Sequence, residues 1–262
     1  MTLYVGAHRG FAPPRVEDVI SASGGVVDLD AEESTNWEVG LRGDAMPGVR
    51  FDVTAFRMDF ENQIVPASVA GGVGTTLTSA GETLHAGVEG SLNVSLRDAG
   101  VMQRDGITLR ASATYLAEAS YEGARFSNIA GFNCTGIVPP TPGPTCVSVT
   151  GNRLPYAPEW IAAVAIGYER GDWLQTQIEM QYTGEMFADD LNTVAQSANG
   201  QIGLIEDVTI VNWAANVTPN GGGTTFFLTV KNIFDELYIV DRSRGILPGA
   251  PRLVQAGVTV SF

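Results

Sequence analysis

The sequence predicts an all-β chain: an antiparallel transmembrane β-barrel, of which about ten strands are present. Three observations predict it. Apolar and polar residues alternate with period two along ten stretches, connections switch regularly between short and long, and one strand carries a face of Gln and Glu that suits water. Of the 262 residues 44% are hydrophobic and 17% charged, yet no run approaches the roughly 18 apolar residues of a membrane helix. A formal charge of −14 argues against nucleic acid as a partner, because phosphate contact needs a basic surface.

The elements follow in order. Leu3, Val5 and Ala7 alternate with Tyr4, Gly6 and His8 in a first strand, and a long loop carries Pro13-Pro14 and Gly24-Gly25. Trp37, Val39 and Leu41 then oppose Glu38, Gly40 and Arg42, with a tight turn over 45–48. In the third strand Phe51 and Val53 are apolar at odd positions, but Phe56, Met58 and Phe60 at even ones. That change of phase near Ala55 predicts either a bulge or a strand running on beyond the bilayer. After a Gly-rich loop, Leu84, Ala86, Val88, Leu92 and Val94 form one row and His85, Glu89, Ser91 and Asn93 the other. Leu109, Ala111, Ala113 and Tyr115 make the next row, and the longest loop spans about 119–157. Trp160, Ala162, Val164, Ile166 and Tyr168 follow, then a short turn at Arg170-Gly171-Asp172.

The next strand is the most informative. Leu174, Thr176, Ile178, Met180 and Tyr182 alternate with Gln175, Gln177, Glu179, Gln181 and Thr183. Buried in a core, each of those amides and the carboxylate would need a partner, whereas a wetted lumen satisfies them. Val211, Trp213, Ala215 and Val217 form an eighth row before 224–231, and the final strand sets Val254, Ala256, Val258, Val260 and Phe262 against Gln255, Gly257, Thr259 and Ser261. Short connections fall near residues 46, 101, 171 and 220 and long ones near 22, 72, 138, 197 and 242, as transmembrane barrels arrange them. Aromatics gather at strand ends (Trp37, Tyr115, Trp160, Tyr168, Trp173, Tyr182 and Phe262), where interfacial girdles sit.

Alternation alone fits a soluble sandwich as well as a barrel. The ending favours the barrel: the sequence closes inside a strand on aromatic Phe262, where soluble domains usually fray. Val230, Asn232, Ile233, Phe234, Asp235 and Tyr238, followed by Pro251, Arg252, Gly257 and Phe262, resemble the carboxyl terminus of TonB-dependent outer-membrane receptors. The blocks ESTNWEVGLRGD, FRMDFENQIV and GNRLPYAPEW resemble the ferric dicitrate-type branch.

The resemblance implies a barrel of about 22 strands filled by an amino-terminal plug, of which residues 1–262 form the last part, without the plug. It implies import of a ferric siderophore or ferric citrate across the bacterial outer membrane. The expected partners are the ferric chelate, the TonB complex acting through the plug, and outer-membrane lipid and lipopolysaccharide. Met1 is followed directly by TLYVGAHRG, without the basic start and apolar stretch of a signal peptide, so a carboxyl-terminal piece of a longer chain is expected. The competing classes are a passive porin or surface-binding barrel, and a secreted adhesive sandwich. No HExxH, zinc-type Cys/His spacing or G-x-S-x-G elbow occurs, so neither an enzyme nor a cofactor is expected.

Anionic chelates call for cations, and Arg presents a planar fork to carboxylates. Arg242 and Arg244 in the closing loop, with Arg9 and Arg15 at the first loop, are the candidates; pairing with neighbours such as Asp241, or with lipopolysaccharide phosphate, is the alternative. Cys134 and Cys146 in an exported loop favour a disulfide, which would stabilise by roughly 3 kcal/mol on the chain-entropy model, with free thiols as the other outcome. Asp189-Asp190 lacks a calcium-loop pattern and reads as a solvated loop face.

Overall fold

A computed structural model describes residues 1–13, 30–66, 77–79, 81–103, 105–127, 147–219, 222–243 and 245–261. Its strands, in chain order, begin with β1 (Thr2–Ala12), β2 (Glu32–Met46), β3 (Val49–Glu61), β4 (Ile64–Pro66) and β5 (Leu77–Ser79). They continue with β6 (Thr83–Ser95), β7 (Asp105–Tyr121), β8 (Trp160–Arg170), β9 (Leu174–Thr183), β10 (Met186–Phe187) and β11 (Leu204–Ile205). The last are β12 (Val208–Val217), β13 (Thr224–Lys231), β14 (Ile239–Asp241), β15 (Leu247–Pro248) and β16 (Leu253–Val260). Among the described residues there is no α-helix.

Ten of these strands form one antiparallel sheet in the order β1-β2-β3-β6-β7-β8-β9-β12-β13-β16, each beside its neighbour in sequence. The order is open: β1 and β16 are its two margins and do not pair with each other, so the ten strands do not close into a small barrel. The three remaining pairs, β4-β5, β10-β11 and β14-β15, extend the long connections at one end. At the other end the turns are short, with two residues between β2 and β3 and three between β8 and β9.

Register carries the period-two rows across the sheet. Val5 pairs with Val39, Val39 with Ala55 and Ala55 with Val88. Further along, Val164 pairs with Met180, Met180 with Val211, Val230 with Val254 and Phe226 with Val258. The apolar face so formed is bare: Val5, Val39, Val53, Val88, Ile166, Ile178, Met180, Phe226, Val254 and Val258 are all exposed, and among the described residues no second sheet or helix layer lies against them. The buried hydrophobic cluster lies at the long-loop end, where Ala119, Tyr121, Val149 and Leu154 pack with Leu116, Ala157 and Leu191.

The structure decides between the two readings left open at Ala55 and adds a bulge elsewhere. β3 has no bulge at Ala55, since it pairs with β6 without a break from Val49 to Phe60. Its outward row passes from Phe51, Val53 and Ala55 to Arg57, Asp59 and Glu61, so the strand runs on past the apolar band and its charged end meets water. The bulge occurs instead on β7, where Val88 faces Tyr115 but Ala86 faces Glu118. A Cβ on Gly87 would come within 2.2 Å of the Tyr115 carbonyl oxygen, so only glycine fits against the extra residue. The bulge swaps the faces of β7 beyond it, which turns Ala119 and Tyr121 inward to build the cluster.

Candidate functional site

Two places carry chemistry: the inward wall near the closing loop, and the junction where the long connections meet. On the wall, register sets Glu179 of β9 beside Asn212 of β12, and Trp213 beside Val230 puts Lys231 of β13 next to Asn212. Lys231 in turn faces Leu253 of β16. Glu179 accepts hydrogen bonds from Gln181 and, at 3.4 Å, from Asn212. Gln177 accepts one from Arg110 at 3.0 Å, which leaves its amide N–H groups for other partners. Above this row lies a cavity of about 470 Å³, lined by Gln177, Glu179, Asn212, Lys231, Tyr238 and Leu253 among others. Tyr238 is held there by its ring lying flat on Gly249, whose Cβ would fall 2.0 Å from the ring.

The closing loop turns on Asn232, a buried residue with φ of +49°, a conformation Asn tolerates better than most. Its N–H donates to Asn212 Oδ1 at 3.0 Å, and its Nδ2 donates to the Glu236 and Ala250 carbonyls. Its Oδ1 accepts from the Glu236 N–H at 2.8 Å. Asp235 accepts from the Arg252 N–H at 2.8 Å, and the Arg252 guanidinium lies 3.7 Å from its carboxylate. The Asn, Asp and Pro-Arg positions singled out in the sequence are thus the clamp that shapes one loop.

At the junction, Tyr156 Oη donates to Asp241 Oδ1 at 2.7 Å and accepts from the Arg242 N–H at 3.2 Å. Burial, and then the bond to Asp241, hold the Tyr156 phenol above its ordinary range. Burial works to raise the Asp241 carboxyl, but hydrogen bonds from Ser243, Tyr156 and the Arg242 N–H outweigh it and hold the group below its ordinary value. Arg153 and Asn192 tie the 151–158 and 189–206 connections together, the Arg153 N–H donating to Asn192 Oδ1 at 2.8 Å and Asn192 Nδ2 to the Arg153 carbonyl at 2.7 Å.

The predicted site residues are scattered. Arg242 is 4% exposed and donates to the Gly200 carbonyl at 3.0 Å, joining the closing loop to the β11 side. Arg9 lies in the outward row with Leu3 and Val5 and pairs with Glu33 at 2.6 Å, away from the inward face. Arg15, Arg244, Cys134, Cys146 and Phe262 lie outside the described residues. Asp189 and Asp190 are not a solvated face: both are buried. Asp189 Oδ1 accepts from Leu191 N, Thr193 N and Thr193 Oγ1, and Asp190 Oδ1 accepts from Ser127 Oγ at 2.8 Å. Among the described residues no cluster of His, Cys, Asp and Glu could hold a metal ion. Sequence reasoning missed Lys231 and Tyr238. The signal available was that Lys231 continues the inward row of Phe227 and Thr229, beside the Gln-Glu-Gln strand.

An antiparallel sheet with one bare apolar face, a polar inward face, and long loops gathered at one end defines the wall of a transmembrane β-barrel. Residues 1–233 match the family described as TonB dependent receptor-like, beta-barrel, and the chain belongs to that family. It is one of outer-membrane transporters and receptors, not a class of enzymes.

Solved structures similar to this chain include the ferric citrate transporter FecA in its unliganded form, at 22% identity and a TM-score of 0.65, covering 98% of this chain and 35% of that one. The siderophore receptor PiuA from Acinetobacter baumannii matches at 18% identity and 0.66, covering 98% and 33%. The ferric-catecholate import receptor Fiu from E. coli K12 matches at 17% and 0.65, covering 99% and 33%. The chain thus spans about a third of the length of these solved receptors.

Proposed function

We propose that residues 1–262 form part of the barrel wall and outer loops of a transporter in the bacterial outer membrane that imports a ferric siderophore or ferric citrate. The bare apolar face carries this reading, because its exposed Val, Ile, Phe and Met rows are stable only against hydrocarbon. Family membership and the names of the similar receptors support iron chelates as cargo. In this reading the TonB complex acts through a plug outside these residues, the long-loop end faces outward toward lipopolysaccharide, and Arg15 and Arg244 are the cations offered to an anionic chelate, since Arg242 is buried against the Gly200 carbonyl and Arg9 pairs with Glu33 in the outward row.

The test is uptake of radiolabelled iron by the native bacterium. Deleting the gene should abolish uptake from one ferric chelate and leave the others unchanged, with the protein recovered in the outer-membrane fraction. Unchanged uptake from ferric citrate and from hydroxamate and catecholate chelates alike would overturn it.

A further inference from the structure

We propose that the β14–β15 hairpin of the closing loop is a strap that opens and shuts against the neighbouring connections, and that burial of the Arg242 charge holds it ready to open. Shut, the strap hides a cation at the long-loop end; open, it returns that cation to water. This goes beyond the transport reading and does not depend on it.

The base of the strap is firmly held. Asn232 bonds both the Glu236 backbone and the Ala250 carbonyl, Asp235 accepts from the Arg252 N–H, and the Gly249 N–H donates to the Tyr238 carbonyl at 2.8 Å. The tip is not. A two-stranded hairpin is marginal by itself. Val240, Ile246 and Leu247 are each about half exposed, so no apolar core holds the hairpin down. Apart from Ile246 lying against Gly200, the contacts at the tip are polar. Tyr156 Oη donates to Asp241, the Arg242 N–H donates to Tyr156 Oη, and Arg242 Nη1 donates to the Gly200 carbonyl.

One of these contacts works against closure. Arg242 is 4% exposed, yet it forms no ion pair among the described residues. Its Nε–H is buried without an acceptor, and its Nη1 bond runs to a neutral carbonyl. Asp241, the residue before it, turns its carboxylate to Tyr156 and Ser243 instead. Removing a guanidinium from water is offset only when its charge and its N–H groups are matched. The unmatched charge and Nε–H therefore favour the open form, where water serves both, while the Tyr156–Asp241 bond favours the shut one. Opposed at adjacent residues, the two effects keep both forms within reach.

The protein, purified from native membranes in a nonionic maltoside, is followed by hydrogen exchange with fragment-level mass spectrometry, corrected for intrinsic rates. The Arg242 N–H is bonded only across the gap, to Tyr156, so its exchange reports opening. In wild type it should exchange about tenfold or more faster than the Asn232 and Glu236 N–H groups at the base. Arg242→Gln removes the charge and keeps an amide donor, and should slow exchange over 239–243 about fivefold or more. Arg242→Lys keeps the charge and should exchange at least as fast as wild type. Equal protection at base and tip in wild type overturns the proposal. So does Arg242→Gln exchanging no more slowly than wild type, since Arg242 is then a plain clamp, or Arg242→Lys slowing exchange as much as Arg242→Gln, since charge is then not the cause. None of these measurements involves iron or uptake, so their failure leaves the transport reading standing, and loss of that reading leaves this one testable.

Discussion

Asn232 makes five hydrogen bonds through its main chain and side chain and is 3% exposed. Asn232→Ala strips its side-chain bonds, leaves the Glu236 N–H and Ala250 carbonyl without it, and puts a worse residue at φ of +49°. The expected loss is about 2–4 kcal/mol, read as a lower midpoint in urea unfolding followed by heat-modifiable gel migration. Thr176 makes a second residue-scale case. It stands in an apolar outward row, yet its Oγ1 accepts from Trp213 Nε1 at 3.0 Å and donates to the Ala214 carbonyl. An indole N–H facing hydrocarbon needs such a partner. Thr176→Val keeps the shape and should cost about 1–2 kcal/mol in the same assay, whereas Thr209→Val, in the same outward row without such a bond, should be nearly neutral.

The junction between connections titrates in both directions. Asp241 is held below its usual value, so its contribution is complete above about pH 4 and is lost as pH falls through its depressed value. Tyr156 is held above its usual value, so its contribution is complete below about pH 10 and is lost as pH climbs further. Hydrogen exchange of the 239–243 and 151–158 backbone should therefore be slowest between those limits. Tyr156→Phe should raise it at neutral pH and flatten the alkaline arm. Equal exchange in mutant and wild type would dismiss the coupling.

At the scale of elements, the outward rows mark where lipid stops. Ile178→Arg, inside the apolar band, is expected to cost about 2–4 kcal/mol, while Thr35→Arg, level with charged Arg57 and Asp59, should cost about 0–1. Chemical unfolding from phospholipid vesicles measures both. The ten strands were legible because a period of two repeats along each, and the loop ends because their lengths sort so cleanly. β3 misled on one branch because Phe56, Met58 and Phe60 are apolar on the inward face, where Phe60 packs edge-on against His85 at 5.4 Å. Apolarity alone does not say which side it serves. The β7 bulge was invisible, since its cause is the space above Gly87 on a neighbouring strand rather than anything in β7.

At the scale of the molecule, membership and wall were legible because their signals are local and ordered along the chain. The site was not. Arg242 stood out as a loop cation, but its partner, the Gly200 carbonyl, is 42 residues away and reveals itself only in three dimensions. Asp189 and Asp190 read as solvated for the same reason, being buried by segments that arrive from the β7 side, such as Ser127. Lys231 needed three strands in register before it meant anything.

The β7-to-β8 connection has a further consequence. Its two arms are zipped well past the sheet: Leu154 N donates to Ala119 O at 2.7 Å, Gly151 N to Tyr121 O at 2.8 Å, Val149 N to Arg125 O at 3.0 Å and Ser127 N to Val147 O at 2.8 Å. The arms are braced from the side as well, Ser127 Oγ donating to Asp190 Oδ1 and Asn152 Nδ2 to the Asp190 carbonyl, so the root of this connection is anchored twice, once by its own two arms and once by the 189–206 connection, and loosening either anchor alone leaves the other in place.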